Sequence, residues 1–273
     1  MRITALLFCV FCFVSEQHAQ VDTRRVAVTP EQDSLALDST YFDLGIERNV
    51  KSVEITGNFS GKVRLYGSDD TDLLKVYHVF AAHLRDDRAK GLREISSGTN
   101  DNTGVGLNVS VVNDVLIIRP ASDRHKNKHF AIYLPKELPV AVKGTGYGGK
   151  VIANGLNAPL HMKKLQASVR VENHTQYLDI ETQRNIEVVY NASPSFSASL
   201  TSHTGLIDIS LPKESDVVFE IKKERVTPRL FTDLNLRMTS KESDRQIYQM
   251  NDGINRIDMY VPYGNVYIRE YTP

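Results

Sequence analysis

Tryptophan is missing from this chain altogether, and cysteine is nearly so: of 273 residues only Cys9 and Cys12 carry a thiol. No charge of either sign predominates, since lysine plus arginine and aspartate plus glutamate number 33 each. That balance gives no electrostatic reason to expect nucleic acid or an anionic membrane as partner. There is no HExxH, no GxSxG and no DxDxDG, so the sequence signals of a zinc protease, a serine-hydrolase elbow and a calcium loop are all absent. After residue 14 no segment is long and apolar enough to span a bilayer as a helix.

The one uninterrupted apolar run is at the start. Met1 and Arg2 are followed by Ile3 to Val14 without a charge, then by the short polar tail Ser15 to Ala19. This is the layout of a secretory signal peptide, with cleavage expected after Ala19. Both cysteines lie inside it, preceded by Phe8 and Phe11 rather than by the small residues a lipidation signal needs. The expected mature chain has no cysteine and no transmembrane segment. It is exported to the periplasm or the cell surface and held together without disulfides.

What is present is a repeating beat. From residue 131 to 221 an apolar–polar–apolar triplet returns, about nine or ten residues apart after a first gap of twenty: Val140/Val142, Leu160/Met162, Val169/Val171, Leu178/Ile180, Ile186/Val188, Phe196/Ala198 and Ile207/Ile209. The spacing is that of short strands in an all-β array. Gly144 to Gly149, Asn154-Gly155, Pro159, Asn173, Asn191, Pro194 and Gly205 punctuate it. A longer repeat runs alongside, in which a strand ends on Leu or Val before a proline: Pro135, Pro212 and Pro262.

Outside this region, Val53/Ile55, Val63/Leu65, Leu74/Val76, Leu107/Val109/Val111 and Val115/Ile117 predict further strands, with Asn113-Asp114 as a hairpin turn. A first strand is expected near Tyr41 to Leu44, and another over Leu234, Leu236 and Met238. Residues 81–95 change period: Ala81, Leu84, Leu92 and Ile95 fit one face of a short helix. Stacked turn upon turn, such strands predict an all-β fold, a single-stranded β-helix or β-solenoid, right-handed, with one short helix near 81–95. The domain reading is a signal peptide over 1–19, an extended N-terminal segment over 20–50 and the solenoid over 51–273.

Several stretches together resemble a known family. They are VEITGNFSGKVRLYG (53–67), DDRAKGLREI (86–95), the LPKEL block at Pro135, TGYGGKV (145–151), FTDLNL (231–236) and GINRIDMYVPYGNVYIREY (253–271). They resemble the bacterial "putative adhesin" family of exported β-strand-repeat proteins, a domain of unknown function. A Gly-x-(Ile/Val) step at Gly61, Gly149, Gly205 and Gly264 is part of the resemblance, which covers the chain from about residue 50 to its end. It implies an exported β-solenoid. It brings no catalytic residues, and "adhesin" here is a label of architecture more than of activity.

Candidate chemistry is sparse. His125 and His129 have metal-ligand spacing, but they sit among Arg124, Lys126 and Lys128, so no metal is expected. Asp179, Asp208 and Asp258 each lie between two inward residues and face outward. Asp179 and Asp208 would stack only if each turn held three strands. Tyr260, Tyr263 and Tyr267 are the candidate partner-binding residues, the first and last facing outward and Tyr263 on a turn. No catalytic set, cofactor or metal site is expected. The functional expectation is a non-enzymatic binding or structural module of the bacterial envelope, its partner an envelope protein or a glycan. The competing expectation is a carbohydrate-active β-helix enzyme, a lyase or hydrolase. It requires acidic and basic residues converging in one groove.

Overall fold

The computed structural model describes residues 39–46, 49–59, 61–79, 101–103, 105–121, 129–144, 149–174, 176–224 and 228–272. Among them there are strands, bends and turns but no helix. The leader over 1–19 and the helix expected near 81–95 both lie outside the described residues.

Seven strands precede the regular region: β1 (Ser39–Gly45), β2 (Ser52–Thr56), β3 (Lys62–Ser68), β4 (Leu73–Val79), β5 (Leu107–Val112), β6 (Val115–Pro120) and β7 (His129–Pro135). The regular region follows, with β8 (Val140–Lys143), β9 (Lys150–Asn154), β10 (Leu160–Leu165), β11 (Ser168–Glu172), β12 (Leu178–Thr182), β13 (Ile186–Val189), β14 (Ala198–Ser202) and β15 (Ile207–Leu211). The chain ends with β16 (Val217–Lys222), β17 (Arg229–Thr232), β18 (Arg237–Lys241), β19 (Arg245–Met250), β20 (Asn255–Tyr260) and β21 (Asn265–Glu270).

These strands form two mixed sheets and no closed barrel. The first runs β1-β4-β7-β3-β9-β11-β13-β15-β21-β17 and the second β18-β19-β16-β20-β14-β12-β10-β8-β2-β6-β5. Between β8 and β15 the chain changes sheet at every bend, and each strand pairs in parallel with the strand two before it. Antiparallel pairs occur only towards the ends, as in β1–β4, β4–β7, β5–β6, β16–β19 and β18–β19.

Period-two alternation explains the burial. In the first sheet Val63, Val151, Val169, Ile186, Ile207 and Val266 align strand to strand. In the second, Val53, Val140, Leu160, Leu178, Ala198 and Ile257 do the same. These residues, with the column two residues further along each strand, belong to one buried core. Each buried aliphatic side chain contributes about 1.5–3 kcal/mol relative to exposure. Parallel strands here need no covering helices, because each sheet's inner face covers the other's.

The expected beats therefore line a shared interior, with four adjustments. Val111, expected to continue the Leu107/Val109 alternation, is 43% exposed. The copy placed at Phe196/Ala198 is really Ala198/Leu200; Phe196 precedes β14 and is 44% exposed. In β6 the inward pair is Leu116/Ile118, not Val115/Ile117. Leu234 and Leu236 pack against the core from a bend, and the strand begins only at Arg237. Two turn expectations hold. Asn113 and Asp114 both have positive φ, 50° and 63°, in the β5–β6 hairpin. Pro135 and Pro212 close their strands with turns in which their carbonyls accept from Leu138 N and Ser215 N, each at 3.1 Å.

Candidate functional site

The bends that return the chain from the second sheet to the first lie on one edge of the stack. They are tight: Gln166-Ala167 joins β10 to β11, Gln183–Asn185 joins β12 to β13, and 203–206 joins β14 to β15. Backbone bonds carry the strand pairing on into the bends, with Gln183 N on Leu165 O at 2.8 Å and Thr204 N on Gln183 O at 3.1 Å. Below them, buried hydroxyls tie neighbouring layers together. Thr182 Oγ1 donates to Ala167 O at 2.6 Å, and Ser202 Oγ to Arg184 O at 2.8 Å. These bonds satisfy carbonyls that a bend would otherwise strand away from water.

Glycine at this edge is a matter of close approach. A Cβ on Gly149 would meet the Gly61 and Phe59 carbonyl oxygens at 2.7 and 2.9 Å, and one on Gly264 would overlap the Gly205 carbonyl. The Gly-x-(Ile/Val) step of the sequence is therefore the contact between one bend and the next.

The outer surface of these bends forms an open groove of about 530 Å³, lined by Gln166, Ser168, Gln183, Arg184, Asn185, Thr204 and Gly205. The lining is amide, hydroxyl and one guanidinium, with no carboxylate, thiol or imidazole. Asn185 Oδ1 accepts from Leu206 N at 3.2 Å, and Thr204 Oγ1 donates to Gln183 O. Gln166 Oε1 is buried with no hydrogen-bond partner. Among the described residues, the exposed Arg184 guanidinium has no carboxylate partner.

The three tyrosines flank this edge without meeting. Tyr263 sits in the bend from β20 to β21, on the same edge, and is 71% exposed. Tyr260 lies on the outer face of the second sheet. Its hydroxyl donates to Glu224 at 2.6 Å, and that bond, with burial adding to it, holds the phenol above its ordinary pKa of 10. Its ring also meets His203 at 6.2 Å. Tyr267 lies on the outer face of the first sheet, stacked on Phe231 at 5.1 Å with the Arg269 guanidinium 5.2 Å from its ring centre.

The outward aspartates also separate. Asp179 and Asp258 share a row on the second sheet with Ser199 between them, while Asp208 is on the first. Each is paired with a cation: Asp179 with Lys163 at 2.6 Å, Asp208 with Arg269 at 3.0 Å and Asp258 with Arg256 at 2.6 Å. These cross-strand and same-strand pairs fasten the outer faces. No group of three metal-ligating side chains occurs among the described residues. His125 lies outside them, and His129 Nδ1 accepts a bond from Lys62 N at 3.0 Å. Burial, then the Lys62 and Arg64 charges, lower the His129 pKa from 6.5.

An aromatic cluster that the sequence reading passed over lies on the first sheet's outer face. Tyr66 and Tyr133 stack at 4.9 Å, and Tyr77 meets Tyr133 edge-on at 5.4 Å. Strand register could have found it, since Tyr66 and Tyr133 are direct partners in β3 and β7. The groove residues had a signal too. Gln166, Gln183, Thr204 and Tyr263 each stand three residues before the first inward residue of the next strand.

No family model matches the chain, and no curated protein matches it. Among solved structures, one described as a "putative cell adhesion protein" from Clostridium sporogenes is 15% identical, covers 86% of this chain and 100% of its own, and has a TM-score of 0.43. Two described as a "putative adhesin", from Bacteroides fragilis and Parabacteroides distasonis, are 12% and 14% identical with TM-scores of 0.29 and 0.30, each covering 86% of this chain and 97% of its own. At these identities and scores the likenesses carry no inference about ligand or activity. These solved structures are what the chain is similar to, and the descriptions are theirs.

Proposed function

We propose that the protein is an exported, non-enzymatic β-solenoid with two strands per turn, an adhesin-like binding module of the bacterial envelope. In this reading residues 1–19 are the export signal, 20–50 an N-terminal segment carrying β1, and 51–273 the solenoid. Its place is the periplasm or the cell surface. No helix among the described residues is long and apolar enough to cross a membrane.

The observation that carries the reading is the edge groove. It is open and polar, held on a parallel stack, and its lining has no carboxylate, thiol or imidazole that could activate its Ser168 or Thr204 hydroxyl. Such a surface can bind and orient a partner, but it offers no acid–base pair for cleaving one. Tyr263, beside the groove, with Tyr260 and Tyr267 on the flanking faces, supplies aromatic contact area for that partner.

The test combines location with attachment. Fractionation of the producing cells should place the mature chain, cut near Ala19, in the envelope or medium. Deletion of its gene should reduce attachment to a glycan- or protein-coated surface. A chain confined to the cytoplasm, or attachment unchanged by deletion, refutes the proposal.

A further inference from the structure

The groove has a regular grammar. Val169, Ile186, Ile207 and Val266 are strand-to-strand neighbours, so the residues three positions before them fall in one row: Gln166, Gln183, Thr204, Tyr263. Neighbouring strands are about 4.7–4.9 Å apart. The row therefore repeats polar groups, and ends on an exposed ring, at a spacing close to that of successive sugars in a linear polysaccharide. A side-chain amide both donates and accepts, which is what a sugar hydroxyl requires of a partner. Gln166 Oε1 is a buried acceptor without a protein donor. The lining has no aliphatic residue on which a lipid tail or an apolar peptide would rest. Its one charge is Arg184, whose planar fork matches a carboxylate and meets no carboxylate within the groove.

We infer that the groove binds a linear glycan bearing carboxylates, a uronic-acid chain laid across the bends. The amides and Thr204 take the hydroxyls, Arg184 takes the acid, and one pyranose face rests on Tyr263. This rests on the reading of the groove as the binding site and names the ligand for it.

The test is titration calorimetry on the full mature chain with uronic-acid oligomers of differing linkage (oligogalacturonate, oligoguluronate, hyaluronan fragments) and with a neutral maltooligosaccharide. At least one acidic oligomer should bind, more weakly as salt rises, and the neutral one should not. Arg184→Gln and Tyr263→Ala should each lower the affinity roughly tenfold or more. Both side chains are exposed, so these variants should keep the wild-type melting temperature. Lys213→Gln, in the bend after β15 on the opposite edge, should bind as wild type does. Equal affinity for the neutral oligomer would overturn the acidic class while leaving the groove as a glycan site. Binding that survives Arg184→Gln and Tyr263→Ala but is lost in Tyr133→Ala would move the site to the tyrosine face and overturn the groove as well. Failure of every acidic oligomer to bind overturns the inference, and attachment to surfaces then decides whether the wider adhesive role stands.

Discussion

The two edges of the stack turn the same strands by different chemistry. In the groove bends, 166–167, 183–185 and 203–206, the turns are short, and the buried Thr182 and Ser202 hydroxyls bond to their carbonyls. At the opposite edge the bends are longer, as in 155–159 and 190–197, and apolar groups plug them: Leu156, Ala158 and Tyr190 are all buried. Burial alone pushes the Tyr190 phenol far above its ordinary value of 10. An edge fastened by its own backbone and hydroxyls can leave its outer side chains free to face a ligand. An edge sealed by side chains has used them for sealing.

Glycine substitutions should break the comparison most sharply. Gly264→Ala drives a Cβ into the Gly205 carbonyl and to 2.9 Å from Val261 Cγ1, and rigid backbone cannot yield as a side-chain end can. We expect a loss of more than about 3 kcal/mol, or no folded protein. At the other edge a methyl added to Gly155 would meet nothing within 4 Å, and only the φ of +70° opposes a side chain there. Gly155→Ala should therefore cost only about 1–2 kcal/mol. Urea titration of the two variants measures the contrast, and equal losses would show that the groove-edge bends are not in tight contact.

Next in size is Leu156→Ala, which empties a site that is 1% exposed. It should cost about 2–4 kcal/mol in urea unfolding and leave glycan affinity unchanged. Its groove-edge counterpart, Thr182→Val, keeps the shape but removes the donor shared by the Leu165 and Ala167 carbonyls. A loss of about 1–2 kcal/mol is expected, together with weaker ligand binding as the Gln166 and Gln183 bends loosen. If Thr182→Val left both stability and binding unchanged, the hydroxyl ties would not be what holds this edge.

The core was legible and the edges were not, for a physical reason. An inward column demands an apolar residue at every second position, so Leu178/Ile180 or Ile186/Val188 announce themselves. The reading failed where that contrast is lost. β9 gives no clear beat, because Ile152 faces outward and the small Ala153 faces inward. β6 was read out of phase because Val115 to Ile118 is apolar throughout. The sheet order was beyond it as well. β20 lies between β14 and β16, so a strand distant in sequence separates two near neighbours, and alternation carries no information on pairing. The groove is made of ordinary turn residues. Only their common offset before each inward beat distinguishes them, and that offset gains meaning once the strands are known to be in register.

The smallest expected effect is one of pH, and it belongs to the plugged edge. His174, in the bend between β11 and β12, is 4% exposed; Nε2 lies 3.3 Å from Tyr177 O, and Nδ1 has no partner. Burial lowers its pKa from 6.5, more than the surrounding backbone groups raise it. On acidification the unfolded chain therefore takes up the proton first. The stability this site contributes is complete above about pH 6.5 and declines as the pH falls through 6.5 towards the lower folded value. Melting temperatures at pH 7.5 and 5.5 should differ by less in His174→Gln than in the wild type, whatever the variant costs at pH 7.5. Thr204→Ala in the groove, whose lining holds no imidazole, should keep the full wild-type difference. If His174→Gln kept it too, the imidazole would have to be reachable by water in the folded chain, and the plug at this edge would be looser than its burial implies.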